Sequence, residues 1–213
     1  GGGGTLDNLG GGIAISGAHA VISNSTIRNN LADENGYYGP VGGGIIVNET
    51  SAIITDCDII NNTARDGGGG ICLAWSPSSI IKGCLIANNI QPPNTQNVWE
   101  MGGLFLYNSF GFLINNTITN NQGGGIGFME NSNPDLINNI IWGNESTISH
   151  NVTLVGMNDD PNFKYCDIKD GLEGFSGDGA GSNFYGLYEN NIDVDPLYID
   201  PENGDFHLTE NSP

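Results

Sequence analysis

The chain has 213 residues, within the range of one domain, and carries 24 Asp or Glu against five Lys or Arg, a net charge of -19. That charge repels a phosphate backbone or an anionic lipid surface, and no apolar run reaches the roughly 18 to 20 residues that cross a bilayer, so neither nucleic acid nor membrane insertion is expected. The 34 Gly, with abundant Asn and Ile, replace the Leu, Ala, Glu and Lys of an ordinary globular mixture and suit short strands closed by tight turns.

Internal repeats dominate the chain. The first unit opens with Gly11-Gly12 and runs through three short strands, 13–15, 21–23 and 26–28, before closing on Asn29-Asn30. Gly-Gly followed by an apolar strand returns at Ile45, Ile71, Leu104 and Ile126. The closing phrase returns as Asp58-Ile59-Ile60-Asn61-Asn62, Leu85-Ile86-Ala87-Asn88-Asn89 and Thr117-Ile118-Thr119-Asn120-Asn121, then weakens to Ile140-Ile141-Trp142-Gly143-Asn144 and Asp167-Ile168-Lys169. From first strand to closing strand the step is 14, 14, 15, 14 and 15 residues, while the full repeat runs 32, 27, 32, 23 and 27. A nearly constant inner step inside a variable outer one predicts two rigid corners and one corner that accepts insertions.

Alternation of side chains along each strand then predicts four inward columns. They are Ile13, Ile45, Ile71, Leu104, Ile126; Ile15, Val47, Leu73, Leu106, Phe128; Ile22, Ile54, Ile81, Leu113, Leu136; and Ile27, Ile59, Ile86, Ile118, Ile141, Ile168. Like residues stacking on like residues predict an all-β fold, a right-handed parallel β-helix with three short strands per rung. Its rungs span 1–170, and 171–213 supplies final irregular rungs with a cap or a lead-in to a further anchor. The Asn pairs suit sharp corners with left-handed backbone and stacked amides. Cys57 and Cys84, in one inward column with Ser25, Asn116, Asn139 and Cys166, read as buried thiols, because parallel side chains in a ladder lack disulfide geometry.

Insertions gather at residues 31–41, 63–66, 90–101 and Gln122. The two long ones lie two rungs apart, about 10 Å, and a short loop between them predicts a notch. Tyr37, Tyr38 and Trp99, with Asp33, Glu34 and Glu100, bring aromatic and acidic chemistry that stacks on sugar rings and binds their hydroxyls; packing of the same rings against the helix side is the alternative. Trp75, with Glu49 and Glu130 at equivalent positions, decorates another outer face. In the tail, Asp193, Asp195, Asp200 and Asp205 are closely spaced oxygen donors that suit Ca²⁺, although they lack the EF-hand spacing and suit turn and cap roles better. His19, His150 and His207 share no metal or triad spacing.

The repeats resemble the right-handed parallel β-helix surface proteins exported by Bacteroidota. The tail, Asn191-Ile192-Asp193-Val194-Asp195-Pro196 through Gly204-Asp205-Phe206-His207-Leu208, resembles the closing segment of choice-of-anchor proteins, with Asn139 to Asn144 and Tyr165 to Ile168 as the rungs before it. The resemblance implies export to the cell surface, from a longer protein. It spans adhesins, surface-layer proteins and carbohydrate-active enzymes.

Pectin-type hydrolysis on this fold requires clustered Asp with His and basic residues nearby, and a lyase requires acids beside a basic residue. Neither cluster is legible, and Lys82 is placed between Thr55 and Ile114. No catalytic residue is assigned, and no cofactor is required beyond optional Ca²⁺. The expected role is extracellular display and binding of polysaccharide or another surface partner. A polysaccharide lyase or glycoside hydrolase is the alternative, and a structural stalk joined end to end is the third reading.

Overall fold

The computed structural model describes residues 10–32, 41–93, 101–146 and 150–213. Three parallel sheets account for most strands. The first stacks Ile13–Ser16, Ile45–Asn48, Ile71–Ala74, Leu104–Tyr107, Ile126–Met129, Val152–Leu154 and Phe175–Ser176. The second stacks Ala20–Ser23, Ala52–Thr55, Ser79–Lys82, Gly111–Ile114, Asp135–Ile137, Asn162–Lys164 and Tyr188–Glu189. The third runs Thr26–Arg28, Asp58–Ile60, Leu85–Ala87, Thr117–Thr119, Ile140–Trp142 and Asp167–Ile168. Every neighbour within a sheet comes from the next turn of the chain, which makes the molecule a parallel β-helix with three strands per rung.

Its registers match the four apolar columns residue for residue. Ile45 pairs with Ile13 and Ile71, Ile54 with Ile22 and Ile81, and Ile86 with Ile59 and Ile118. The columns fill the interior, where Ile45, Ile54, Ile59, Leu73, Ile86 and Leu106 are fully buried. Each such side chain contributes about 1.5–3 kcal/mol of transfer free energy, so stacking of identical rungs is the main source of stability.

Corners follow from backbone conformation. The second and third sheets are joined through Asn24, Asp56, Asn115, Asn138 and Tyr165, all in left-handed backbone, and rungs are joined through Asn29, Asn61, Asn88 and Asn120 with φ of 53 to 58°. Within each Asn pair the first member takes the left-handed turn and the second points inward. At the fifth corner Gly143 takes the turn, with φ of 67°, and Asn144 keeps the inward place. The inward amides form a continuous ladder, Asn30, Asn62, Asn89, Asn121, Asn144 and Asn151, each Nδ2 donating to the next Oδ1 at 2.9 to 3.1 Å. This ladder explains the Gly-Gly signature: a Cβ on Gly70 would stand 2.9 Å from Asn89 Nδ2, and one on Gly44 equally close to Asn62.

Strict alternation fails on the first sheet. Ile45–Asn48 and Ile71–Ala74 are buried at every position. The outward side chains Ile46, Cys72, Ala74 and Phe105 form a second apolar cluster with Ala32, Val41, Ala64 and Met101. The helix therefore has two hydrophobic regions, one inside the coil and one where the insertion corner covers the first sheet.

Parallel pairing continues beyond residue 170 through Phe175, Tyr188 and the bridge between Asp167 and Ile192. Aromatic rings close this end. Phe163 lies 5.2 to 6.4 Å, centroid to centroid, from Phe128, Phe175, Phe184 and Tyr188. An antiparallel hairpin, Tyr198–Asp200 with Asp205–Leu208, then folds back beside Thr119 and Trp142 of the third sheet. All four cysteines are free and buried, and among the described residues no helix is long and apolar enough to cross a membrane.

Candidate functional site

Asp33, Glu34, Tyr37, Tyr38, Trp99 and Glu100, the residues expected to form the notch, lie outside the described residues. The frame that carries them is described. Leu31–Ala32 pairs with Thr63–Ala64, and the ladder continues as single bridges through Ile90, Gln122 and Glu145. On the return side Gly67–Gly68 pairs with Val41–Gly42, and Gly68 bridges to Met101. Both long insertions thus leave from and return to regular parallel ladders.

Beside this corner runs an open cleft of about 570 Å³. One wall carries Asn61, Asn88 and Asn120; Pro93, Gln122 and Glu145 face the same space. Three successive corners place the three amides in line at the rung spacing, about 4.8 Å. Asn120 Nδ2 donates to Asn88 Oδ1 at 2.5 Å, which leaves the rest of each amide available to a ligand. Amides both donate and accept, and Glu145 adds an acceptor, so the wall matches a row of hydroxyls. Sequence reasoning gave the Asn pairs a structural role only. Since just one Asn of each pair can occupy the inward ladder, the other had to face outward, and that was the available signal.

The tail aspartates are each drawn into local bonds. Asp193 Oδ1 accepts from the Asp170 amide at 3.1 Å, Asp195 Oδ1 from Leu197 at 2.9 Å, and Asp200 Oδ2 from Asn203 Nδ2 at 2.8 Å. Asp205 accepts from the backbone amide and ring of His207, and these bonds hold its carboxyl below the usual range. Among the described residues no group of three or more His, Cys, Asp or Glu stands together to hold a metal ion.

Two further carboxyls are raised in pKa by burial. Asp159 is fully buried and accepts from Ser132 at 2.9 Å and Gly156 at 2.7 Å, closing a column in which the backbone amides of Ser76 and Ser109 donate to the hydroxyls of Ser109 and Ser132. Asp167 is raised by burial and then by Asp193 and Asp195, and it accepts from the Val194 amide. Both hold corners of the coil. Trp75 meets Tyr107 edge-on at 4.8 Å at the corner between the first and second sheets, and Lys82 pairs in register with Thr55 and Ile114.

The profile of a family described as "Right handed beta helix region" matches residues 43–195. No curated protein and no solved structure matches the chain.

Proposed function

The chain belongs to the right-handed β-helix family, and on that footing we propose that it is an extracellular or cell-surface module for display and binding, its ligand a polysaccharide or another hydroxyl-rich surface partner. The observation that carries this reading is the cleft in which Asn61, Asn88 and Asn120 stand one rung apart with Gln122 and Glu145 beside them. A rung spacing of about 4.8 Å is comparable with the length of one pyranose unit, so an extended glycan along the helix axis meets one amide per sugar. The strongly acidic chain suits a neutral ligand better than a polyanion.

The described lining brings one carboxylate, Glu145, into the cleft. Glycoside hydrolysis by paired carboxylates requires two, about 5 to 9.5 Å apart, and binding without turnover is the reading that this lining supports. The test is a glycan array and polysaccharide pull-down on the chain, with and without Ca²⁺, with release of reducing or unsaturated ends followed in the same samples. Capture without release supports the module. Release overturns it in favour of an enzyme, and absence of both in favour of a structural stalk.

A further inference from the structure

The C-terminal hairpin does not close flush on the third sheet. Between them lies a cavity of about 500 Å³, which among the described residues shares Asn120 with the amide cleft. It is lined by three aromatic residues, Trp142 from the sheet and Tyr198 and Phe206 from the hairpin, together with the acidic residues Asp195 and Glu202. Tyr198 and Phe206 stand edge to face, with centroids 5.4 Å apart and planes at 84°, so the two rings make a right-angled corner.

The Tyr198 hydroxyl is buried. Thr119 lies beside it but donates its own proton to the Trp142 carbonyl at 2.7 Å. Aromatic faces and carboxylates all attract positive charge and repel negative charge. Carboxylates only accept hydrogen bonds and carry full charge, so the same lining that accepts from a sugar hydroxyl attracts a cation, and a methyl glycoside control separates the two.

We propose that the space between the hairpin and the third sheet is a binding site for a small organic cation, an alkylated ammonium group, held by Trp142, Tyr198 and Phe206 with Asp195 and Glu202 supplying charge. The methyl groups of such a cation pack on the rings and on Pro201 and Leu197, while its charge is met without a hydrogen bond. The proposal is independent of glycan binding in the amide cleft.

Choline is the probe, titrated into the whole chain by calorimetry and by saturation-transfer NMR, with its neutral carbon isostere and a methyl glycoside as controls. Saturable choline binding is expected, about tenfold weaker in Trp142→Leu and several-fold weaker in Glu202→Gln, with the isostere about tenfold weaker than choline. Tyr198→Phe keeps the ring and is expected to bind as the parent does. Glu202 is exposed, so Glu202→Gln decides the matter even if Trp142→Leu loosens the hairpin. Equal binding of choline and its isostere, preference for the glycoside, absence of choline binding, or indifference to Glu202→Gln overturns the proposal.

Discussion

The side-chain amide of Asn89 donates to Asn121 Oδ1 at 3.1 Å and to the Ile59 carbonyl at 2.8 Å, so a single buried side chain ties three consecutive rungs together. Its own Oδ1 accepts from the backbone and side chain of Asn62 at 2.9 and 3.1 Å. Asn89→Ala therefore strips buried donors of their acceptor, at about 1–3 kcal/mol for each group left unsatisfied, and a total loss of about 3 kcal/mol is expected. Asn30 ends the ladder and is only half-buried, so Asn30→Ala is expected to cost about 1 kcal/mol. Urea unfolding of the two variants measures the difference.

The outer member of the same pair behaves differently. Asn88 has φ of 56°, a conformation in which Gly is at ease and a β-branched residue is strained by about 1–2 kcal/mol. Asn88→Gly is expected to leave the unfolding midpoint close to that of the parent, and Asn88→Val to lower it.

Burial pushes the Cys72 and Cys84 thiols up to about 12 from 9.0. The folded chain keeps both protonated while the unfolded chain releases its protons, so their stabilising effect is complete below pH 9.0 and is lost as pH rises towards about 12. Each thiol contributes a slope of about 1.4 kcal/mol per pH unit across that window. Between pH 8 and pH 10 the parent is expected to lose more stability than a Cys72→Ala, Cys84→Ala double variant. In the folded parent at pH 8, iodoacetamide is expected to leave both thiols unmodified, as peptide mass spectrometry would report.

At the C-terminal end, Phe163 is fully buried among four rings, and Phe163→Ala is expected to cost about 3–5 kcal/mol. Tyr198→Phe removes one buried hydroxyl and keeps the ring, and is expected to change stability by less than about 1 kcal/mol. Thermal melting of the pair separates a plug that closes the core from a hairpin that lies on its side.

The interior was legible because every rung repeats the same constraint: Ile27, Ile59, Ile86, Ile118, Ile141 and Ile168 can meet only if the strands stack in register. The amide ladder was legible for the same reason. The covered outer face of the first sheet was missed although its signal was present. Ile45-Ile46-Val47, Ile71-Cys72-Leu73 and Leu104-Phe105-Leu106 are unbroken apolar runs, whereas Val21 and Ile53 alternate with inward residues and remain exposed. The return of the hairpin onto Thr119 and Trp142 was not legible, since nothing local to residues 198–208 specifies a surface so far back in the chain. The six expected notch residues lie outside the described residues, and the amide wall emerged only once each corner had assigned one Asn inward and one outward.

Glycan-array binding by the parent and by Asn88→Gly, with product release followed in the same samples, tests the central claim most directly. The expected result is saturable capture of a neutral polysaccharide with no new reducing or unsaturated ends, weakened about tenfold in Asn88→Gly at unchanged stability. Capture that is indifferent to Asn88→Gly, or release of cleaved product, would contradict a binding module built on the outward amide row.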